Sequence, residues 1–214
     1  MITAGPTREA IDPVRFLSNR SSGKMGYAIA EAAVAAGHDV KLISGPVSLL
    51  SPPGVKTISI TSGDDLYREV HRAIGNCDVL VMSAAVSDYR PHRTAAKKLK
   101  KRKRSFALQL VPTRDILASL PTRNRRFLLV GFAAETHDLK LHALRKLKQK
   151  NCDMIVANDV SRTDIGMESD VNAVTIFLRS GETKTISLTS KKIIARKLVK
   201  IISKMSEKSL TKKA

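Results

Sequence analysis

The chain contains several short runs whose residue types could hold an anion or a reacting carbonyl. Ser18-Asn19-Arg20-Ser21-Ser22-Gly23-Lys24-Met25-Gly26 sets hydroxyls, an amide, cations and glycines at the head of a small-residue stretch. Glycine lets backbone approach a ligand or a neighbouring strand, and the N–H groups of a helix N-terminus attract phosphate. Ser21 and Ser22 are also helix-capping types. The spacing is neither the dinucleotide fingerprint nor a Walker loop, so an anion site and a close-packed helix start both stand.

Ser83-Ala84-Ala85-Val86-Ser87-Asp88-Tyr89-Arg90 follows an apolar run, its small residues making room beside a carboxylate suited to a metal, a ribose or a base amine. The alternative is a turn in which Asp88 caps backbone donors. Lys97-Lys98-Leu99-Lys100-Lys101-Arg102-Lys103-Arg104 repels itself unless an anion is near. It reads as a solvated loop, a nucleic-acid contact or a mobile lid over phosphates. Gly131-Phe132-Ala133-Ala134-Glu135-Thr136 is another strand running into small residues, with Asn158-Asp159 a further polar strand end. The helix behind Thr136 carries Arg145, Lys146, Lys148 and Lys150 around an apolar face of Leu141, Leu144 and Leu147, and Lys146 and Lys150 share one side at i, i+4. His137 and His142 lack zinc spacing, and no Gly-x-Ser-x-Gly elbow is present.

Elements that would position these runs alternate along the chain. Strands are expected at Met1–Ala4, Val40–Ser44, Val55–Ile60, Val79–Met82, Phe106–Leu110, Phe127–Phe132 and Met154–Ala157. Helices are expected at Gly23–Ala36, closed by Gly37, and at Asp64–Ile74, Asp115–Leu120, Asp138–Lys150 and from Ser190 onward. A hairpin is expected over about 172–188 around Ser180-Gly181-Glu182. The pattern predicts an α/β, Rossmann-like, mostly parallel sheet with helices on both faces and a small antiparallel annex. One domain would fill residues 1–206, with a loop over about 90–104 and a disordered basic tail over 207–214.

Lys and Arg number 38 against 19 Asp and Glu, a formal charge of +19, so acidic ligands are attracted without being specified. Nucleic acid is disfavoured as a partner, because no helix-turn-helix or zinc-finger spacing appears and only 4% of residues are aromatic. Cys77 and Cys152 give no disulfide framework and are expected as buried, reduced thiols. With no signal peptide and no apolar run of roughly 18 residues, a cytoplasmic protein without a membrane span is expected.

These runs occur in the order found in bacterial phosphopantothenoylcysteine synthetase, the coenzyme A biosynthesis ligase domain, which the chain resembles almost end to end. The resemblance rests on Ile2-Thr3-Ala4-Gly5-Pro6-Thr7-Arg8-Glu9, Asp12-Pro13-Val14-Arg15, Ser18-Asn19 through Gly26, Ala84-Ala85-Val86, Asp88-Tyr89, Lys98-Leu99-Lys100-Lys101, Gly131 to Thr136 and Ile155-Val156-Ala157-Asn158-Asp159. It implies a CTP-dependent ligase joining 4′-phosphopantothenate to L-cysteine through an acyl-cytidylate, releasing pyrophosphate and then CMP. Mg²⁺ is implied through the triphosphate rather than by direct protein ligands. So are a homodimer with shared active sites and fusion behind a flavin-dependent decarboxylase, to which the abrupt start at Met1 would correspond.

By the same resemblance, Asn19 and Lys98 are the catalytic residues. Asn19 grips the activated carboxylate, and Lys98, on the lid, neutralises the α-phosphate. Arg15 joins Asn19 in contacting phosphopantothenate. Ser21, Ser22, Gly23, Met25, Gly26, Ala84, Ala85, Asp88, Lys98, Phe132, Lys146 and Lys150 would contact CTP. The chain departs from the family pattern at Lys97, where an acidic residue is expected, at Pro112-Thr113-Arg114-Asp115, where Lys-Asn-Pro-Asp is frequent, and at His137. Two other readings stand beside the ligase: a catalytically silent scaffold that keeps the pocket, and a nucleic-acid-binding domain using residues 97–104.

Overall fold

A computed structural model describes residues 1–101, 105–159 and 166–211, with side chains described to Glu207. Arg102, Lys103 and Arg104 of the basic run lie outside the described residues, as do residues 212–214 of the expected tail. The elements are β1 (Ile2–Ala4), β2 (Glu9–Ala10), β3 (Phe16–Leu17), α1 (Lys24–Ala35), β4 (Lys41–Ser44), β5 (Lys56–Ser59), α2 (Gly63–Ala73), β6 (Val79–Met82), β7 (Tyr89–Pro91), β8 (Leu110–Pro112), β9 (Leu128–Glu135), α3 (Leu139–Gln149), β10 (Met154–Asp159), β11 (Val171–Leu178), β12 (Thr183–Ser190) and α4 (Lys191–Thr211).

The main sheet has eight strands in the order β12-β11-β10-β9-β6-β1-β4-β5. From β10 to β5 all neighbours are parallel. Successive residues of one strand feed opposite cores, as the pleat requires. Leu42, Val81, Val130, Val156 and Ile176 pack on the α1 and α4 side. Ile43, Leu80, Leu129, Ile155 and Phe177 pack on the α2 and α3 side. This two-sided burial explains the near-continuous Val, Ile and Leu runs. Helices on both faces of a mostly parallel sheet are therefore borne out, and so is the annex, made of the antiparallel pairs β2–β3 and β7–β8.

Five local expectations need correction. The 172–188 hairpin forms as β11–β12 but belongs to the main sheet, because Met154–Ala157 pair antiparallel with Thr175–Leu178. Phe106 is exposed outside any strand, and the annex strand begins at Leu110. Asp115–Leu120 closes a single turn on Asp115 and Ile116 carbonyls instead of a helix, since Pro121 follows. In α3 the buried face is Leu139, Ala143 and Leu147 at i, i+4, i+8, whereas Leu141 and Leu144 are exposed. α4 also runs through Ser206 to Thr211, as no Gly or Pro interrupts 191–211.

The chain leaves β1 toward β4 and β5 on one side, then returns to β6, β9 and β10 on the other. Strand order thus reverses between β1 and β6, where open α/β sheets form a crevice at the carboxyl ends of their strands.

Candidate functional site

The crevice is a cleft of about 580 Å³ lined by the loops after β1 and β6, the ends of β9 and β10, and the N-terminus of α1. Buried threonines stitch its rim. Thr3 Oγ1 accepts Ala84 N at 3.1 Å, Thr7 Oγ1 accepts Ser87 N at 3.0 Å, and Ser83 Oγ donates to Thr3 O at 2.5 Å. The amide of Asn19 ties the two loops together, donating to Ala85 O at 2.6 Å and accepting Ser21 N at 3.0 Å.

α1 begins at Gly23, whose φ of 77° is left-handed, and among the described residues no side chain caps it. The capping role expected of Ser21 or Ser22 is not realised: Ser22 Oγ donates to Met167 O instead. Gly26 follows from packing. A Cβ there would lie 2.5 Å from Ala4 Cβ and 2.7 Å from Ser83 Oγ, so only glycine lets the helix start this close to β1 and β6. The first-turn N–H groups and the helix dipole consequently face the cleft, an arrangement that favours phosphate.

Of the residues singled out in the sequence, Asn19, Ser21, Gly23, Met25, Gly26, Ala84, Ala85, Asp88, Phe132, Lys146 and Lys150 line this cleft. Lys146 donates to Phe132 O at 2.7 Å, and Lys150 forms an ion pair with Asp115. Burial pulls the Lys146 ammonium below its ordinary value, opposed by Cys152, Glu135, Asp115 and Asp88. Ser22 lines a neighbouring hollow with Arg8, Arg20 and Ser48. Arg15 and Lys98 are not among the cleft-lining residues.

Arg15 and Lys98 instead meet through their neighbours in the annex. The buried Asp12 accepts Arg15 Nε at 3.0 Å and Leu99 N at 3.0 Å, while Arg15 Nη2 donates to Leu99 O at 2.7 Å. The guanidinium of Arg15 holds the Asp12 carboxyl well below the usual carboxylate range, against the effect of burial. Lys98 is exposed beside this clamp. Val14, Phe16, Tyr89, Phe106 and Leu110, also of the annex region, are exposed large apolar side chains.

Sequence reasoning missed part of the cleft wall. Gly166, Met167 and Lys191 line it without having been singled out, as do Lys24 of the first run, Thr113, Arg114 and Asp115 of the run departing from the family pattern, and Asn172 at the start of the hairpin. Asn158 does so too, and had been marked only as a strand-end polar group. Lys191 is buried and donates to Gly166 O at 2.9 Å and Met167 O at 3.0 Å, with burial and then Lys24 drawing its amine down to about 8. Its signal was a lysine opening a helix, against the dipole preference. Lys24 pairs with Asp170 at 2.7 Å. At the positions departing from the family pattern, Thr113 Oγ1 donates to Ser87 O at 2.6 Å, and the Arg114 guanidinium lies 4.9 Å from the Tyr67 ring centroid.

The cleft therefore sets Lys24, Arg114, Lys146, Lys150 and Lys191 against Asp88 and Asp115. Such a surplus suits a polyanion. Among the described residues no three His, Cys, Asp or Glu side chains gather as a metal site. Both cysteines are free, Cys152 buried and Cys77 half-buried, and burial pushes the Cys152 thiol up to about 11, away from nucleophilic use. No helix among the described residues is long and apolar enough to cross a membrane.

The model of the DNA/pantothenate metabolism flavoprotein C-terminal domain matches residues 1–205. The coenzyme A biosynthesis bifunctional protein CoaBC of Vibrio vulnificus is 47% identical over 206 residues, covering 94% of this chain and 51% of that protein. CoaBC of Bacillus subtilis is 44% identical over 210 residues, covering 98% and 52%. The chain thus spans about half the length of these curated relatives. A crystal structure of the C-terminal domain of CoaBC superposes with a TM-score of 0.82 at 43% identity, covering 97% of this chain and 94% of that one. The DNA/pantothenate metabolism flavoprotein of Streptococcus pneumoniae gives 0.80 at 27% identity, covering 95% and 97%.

Proposed function

Because the chain belongs to the DNA/pantothenate metabolism flavoprotein C-terminal domain family, we propose that it is a CTP-dependent ligase joining 4′-phosphopantothenate to L-cysteine. The observation that carries this reading is the cleft itself. One cavity is lined by the uncapped N-terminus of α1, the amide of Asn19, the carboxylate of Asp88 and the ammoniums of Lys146 and Lys150.

In the first half-reaction a carboxylate oxygen of 4′-phosphopantothenate attacks the α-phosphorus of CTP. The P–O bond to the β-phosphate breaks and pyrophosphate leaves. The N–H groups around Gly23 to Gly26 and the ammoniums of Lys146 and Lys150 bind the triphosphate and stabilise charge as it moves to the leaving group. Asn19, on the loop joining β3 to α1, holds the activated carboxylate. Asp88 recognises the base and ribose end, beside Phe132.

In the second half-reaction the cysteine amine attacks the acyl carbon, CMP leaves and a proton is lost as the amide forms. No covalent enzyme nucleophile is required, in keeping with the inert setting of Cys152. Mg²⁺ would arrive with its nucleotide, held through phosphate oxygens rather than by a direct protein ligand, and would add charge neutralisation on the polyphosphate.

Arg15 and Lys98 act, in this reading, on the cleft of a second copy. Both lie in the annex beside exposed Val14, Phe16 and Tyr89, an apolar surface that a homodimer would cover. The test of the function is to combine CTP, Mg²⁺, 4′-phosphopantothenate and cysteine, with parallel arms of ATP, GTP and UTP. Pyrophosphate release and amide formation are expected with CTP. No turnover with any of the four would sink the ligase reading.

A further inference from the structure

The ion pair between Asp115 and Lys150 sits on the cleft wall, and its two halves are held very differently. Lys150 caps the C-terminal end of α3 and carries its charge on a flexible four-carbon stem. Asp115 belongs to a loop fixed from both sides. On the α2 side, Arg114 lies over Tyr67 at 4.9 Å with its Nε 3.5 Å from Asp64, and Ser119 Oγ is 2.9 Å from His71 Nε2. On the β6 side, Thr113 N donates to Asp88 O at 2.9 Å. The second oxygen of Asp115 accepts Ala118 N at 2.9 Å, which fixes the carboxylate's own direction.

The loop thus has its own anchors and does not need Lys150 to stay in place. What the pair does is locate the ammonium. Lys146, one turn earlier on α3, is likewise tethered, to Phe132 O. Burial raises the Asp115 carboxyl, but hydrogen bonds from Lys150 and Ala118 outweigh it and keep the group charged. An ammonium has three N–H donors, so a bond to Asp115 is compatible with further bonds to phosphate oxygens.

We propose that Asp115 is a positioning residue that holds the Lys150 ammonium beside Lys146, so that an incoming polyphosphate meets two ordered cations. The cost of freezing a long side chain is met in folding rather than on binding, which is preorganisation. The proposal rests on the reading of Lys146 and Lys150 as polyphosphate contacts.

The test uses inorganic tripolyphosphate, so that it does not require turnover. Its Kd is measured by calorimetry for the unmodified chain, Asp115→Asn, Lys150→Met and the double variant. Asp115→Ser serves as a second replacement, since it too keeps an oxygen for Ala118 N–H. Asp115→Asn and Asp115→Ser are each expected to weaken binding about fivefold and Lys150→Met about tenfold or more, with the double variant no weaker than Lys150→Met. In ligase assays KM for CTP should rise with kcat within about twofold, and Asp115→Glu should recover most of the loss. Tighter binding in Asp115→Asn would mean that the carboxylate merely repels anions, and overturns the proposal. So does a Kd moved by Lys150→Met but not by either Asp115 replacement. A Kd unmoved by Lys150→Met removes the underlying assignment and the proposal with it.

Discussion

The carboxylate of Asp12 accepts the backbone N–H of Leu99 at 3.0 Å, tying the loop before β3 to the residue beside Lys98 across 87 positions of chain. Its charge should therefore be visible in stability. The folded carboxyl is held well below its ordinary 3.8, so its contribution is complete above that value and is lost as pH falls below it. Urea unfolding from pH 5 down to about pH 2 should show a midpoint that declines more steeply for the unmodified chain than for Asp12→Asn. Equal slopes would mean that the Asp12–Arg15–Leu99 clamp does not persist in solution.

Lys98→Gln should slow acyl-cytidylate formation by more than about tenfold, or about 1.4 kcal/mol of barrier. Rapid quench with labelled CTP reads this step directly. An unchanged rate would show that the lysine beside the clamp is misassigned.

Arg15 and Asn19 offer a test of shared sites. Asn19→Asp puts a second negative charge beside the activated carboxylate and should leave the intermediate scarcely formed. Arg15→Gln should weaken phosphopantothenate binding. If Arg15 serves the partner's cleft, mixing the two impaired chains at a phosphopantothenate concentration too low for Arg15→Gln to turn over, and allowing exchange, should restore about a quarter of full activity, because half the dimers are mixed and each has one intact site. Mixtures no more active than their parents would place both residues in the same copy's site.

Lys191 is costlier to protonate in the folded chain than in the unfolded one. Below about pH 8 the folded state bears that penalty, and it is relieved as pH rises toward the ordinary 10.5. The denaturation midpoint of the unmodified chain relative to Lys191→Gln should consequently climb between those values. A constant difference would mean that the amine does not titrate in this window.

Much of the parallel sheet could be read directly because its cues are local. Gly37 stops α1, and the apolar runs at Leu42–Ile43, Leu80–Val81 and Ile155–Val156 each supply both faces of one sheet. An annex was legible but not the strands that build it, as Glu9–Ala10 and Phe16–Leu17 are too short to carry a period. The phase of α3 misled because Leu141 and Leu144 look like core by type, while alanine at 143 meets the sheet. Motif residues near strand ends, among them Ala84, Ala85, Asp88 and Phe132, line one cleft. Lys191, and the pairing of Asp115 with Lys150, could not be read because the partners are distant in sequence and follow no spacing rule.

The reversal of strand order between β1 and β6 also bears on how the protein acquires its cleft during folding. β1 offers only three residues, and its pairing of Ile2 with Val81 and Thr3 with Met82 closes a loop that contains α1, β4, β5 and α2. Contacts of such sequence separation form late, after local helices and neighbouring pairs have given them support. A chain can therefore hold most of its helix and much of its sheet while the two rims of the cleft are still apart. Ligand recognition, on this topology, waits on the long-range pairing of β1 with β6.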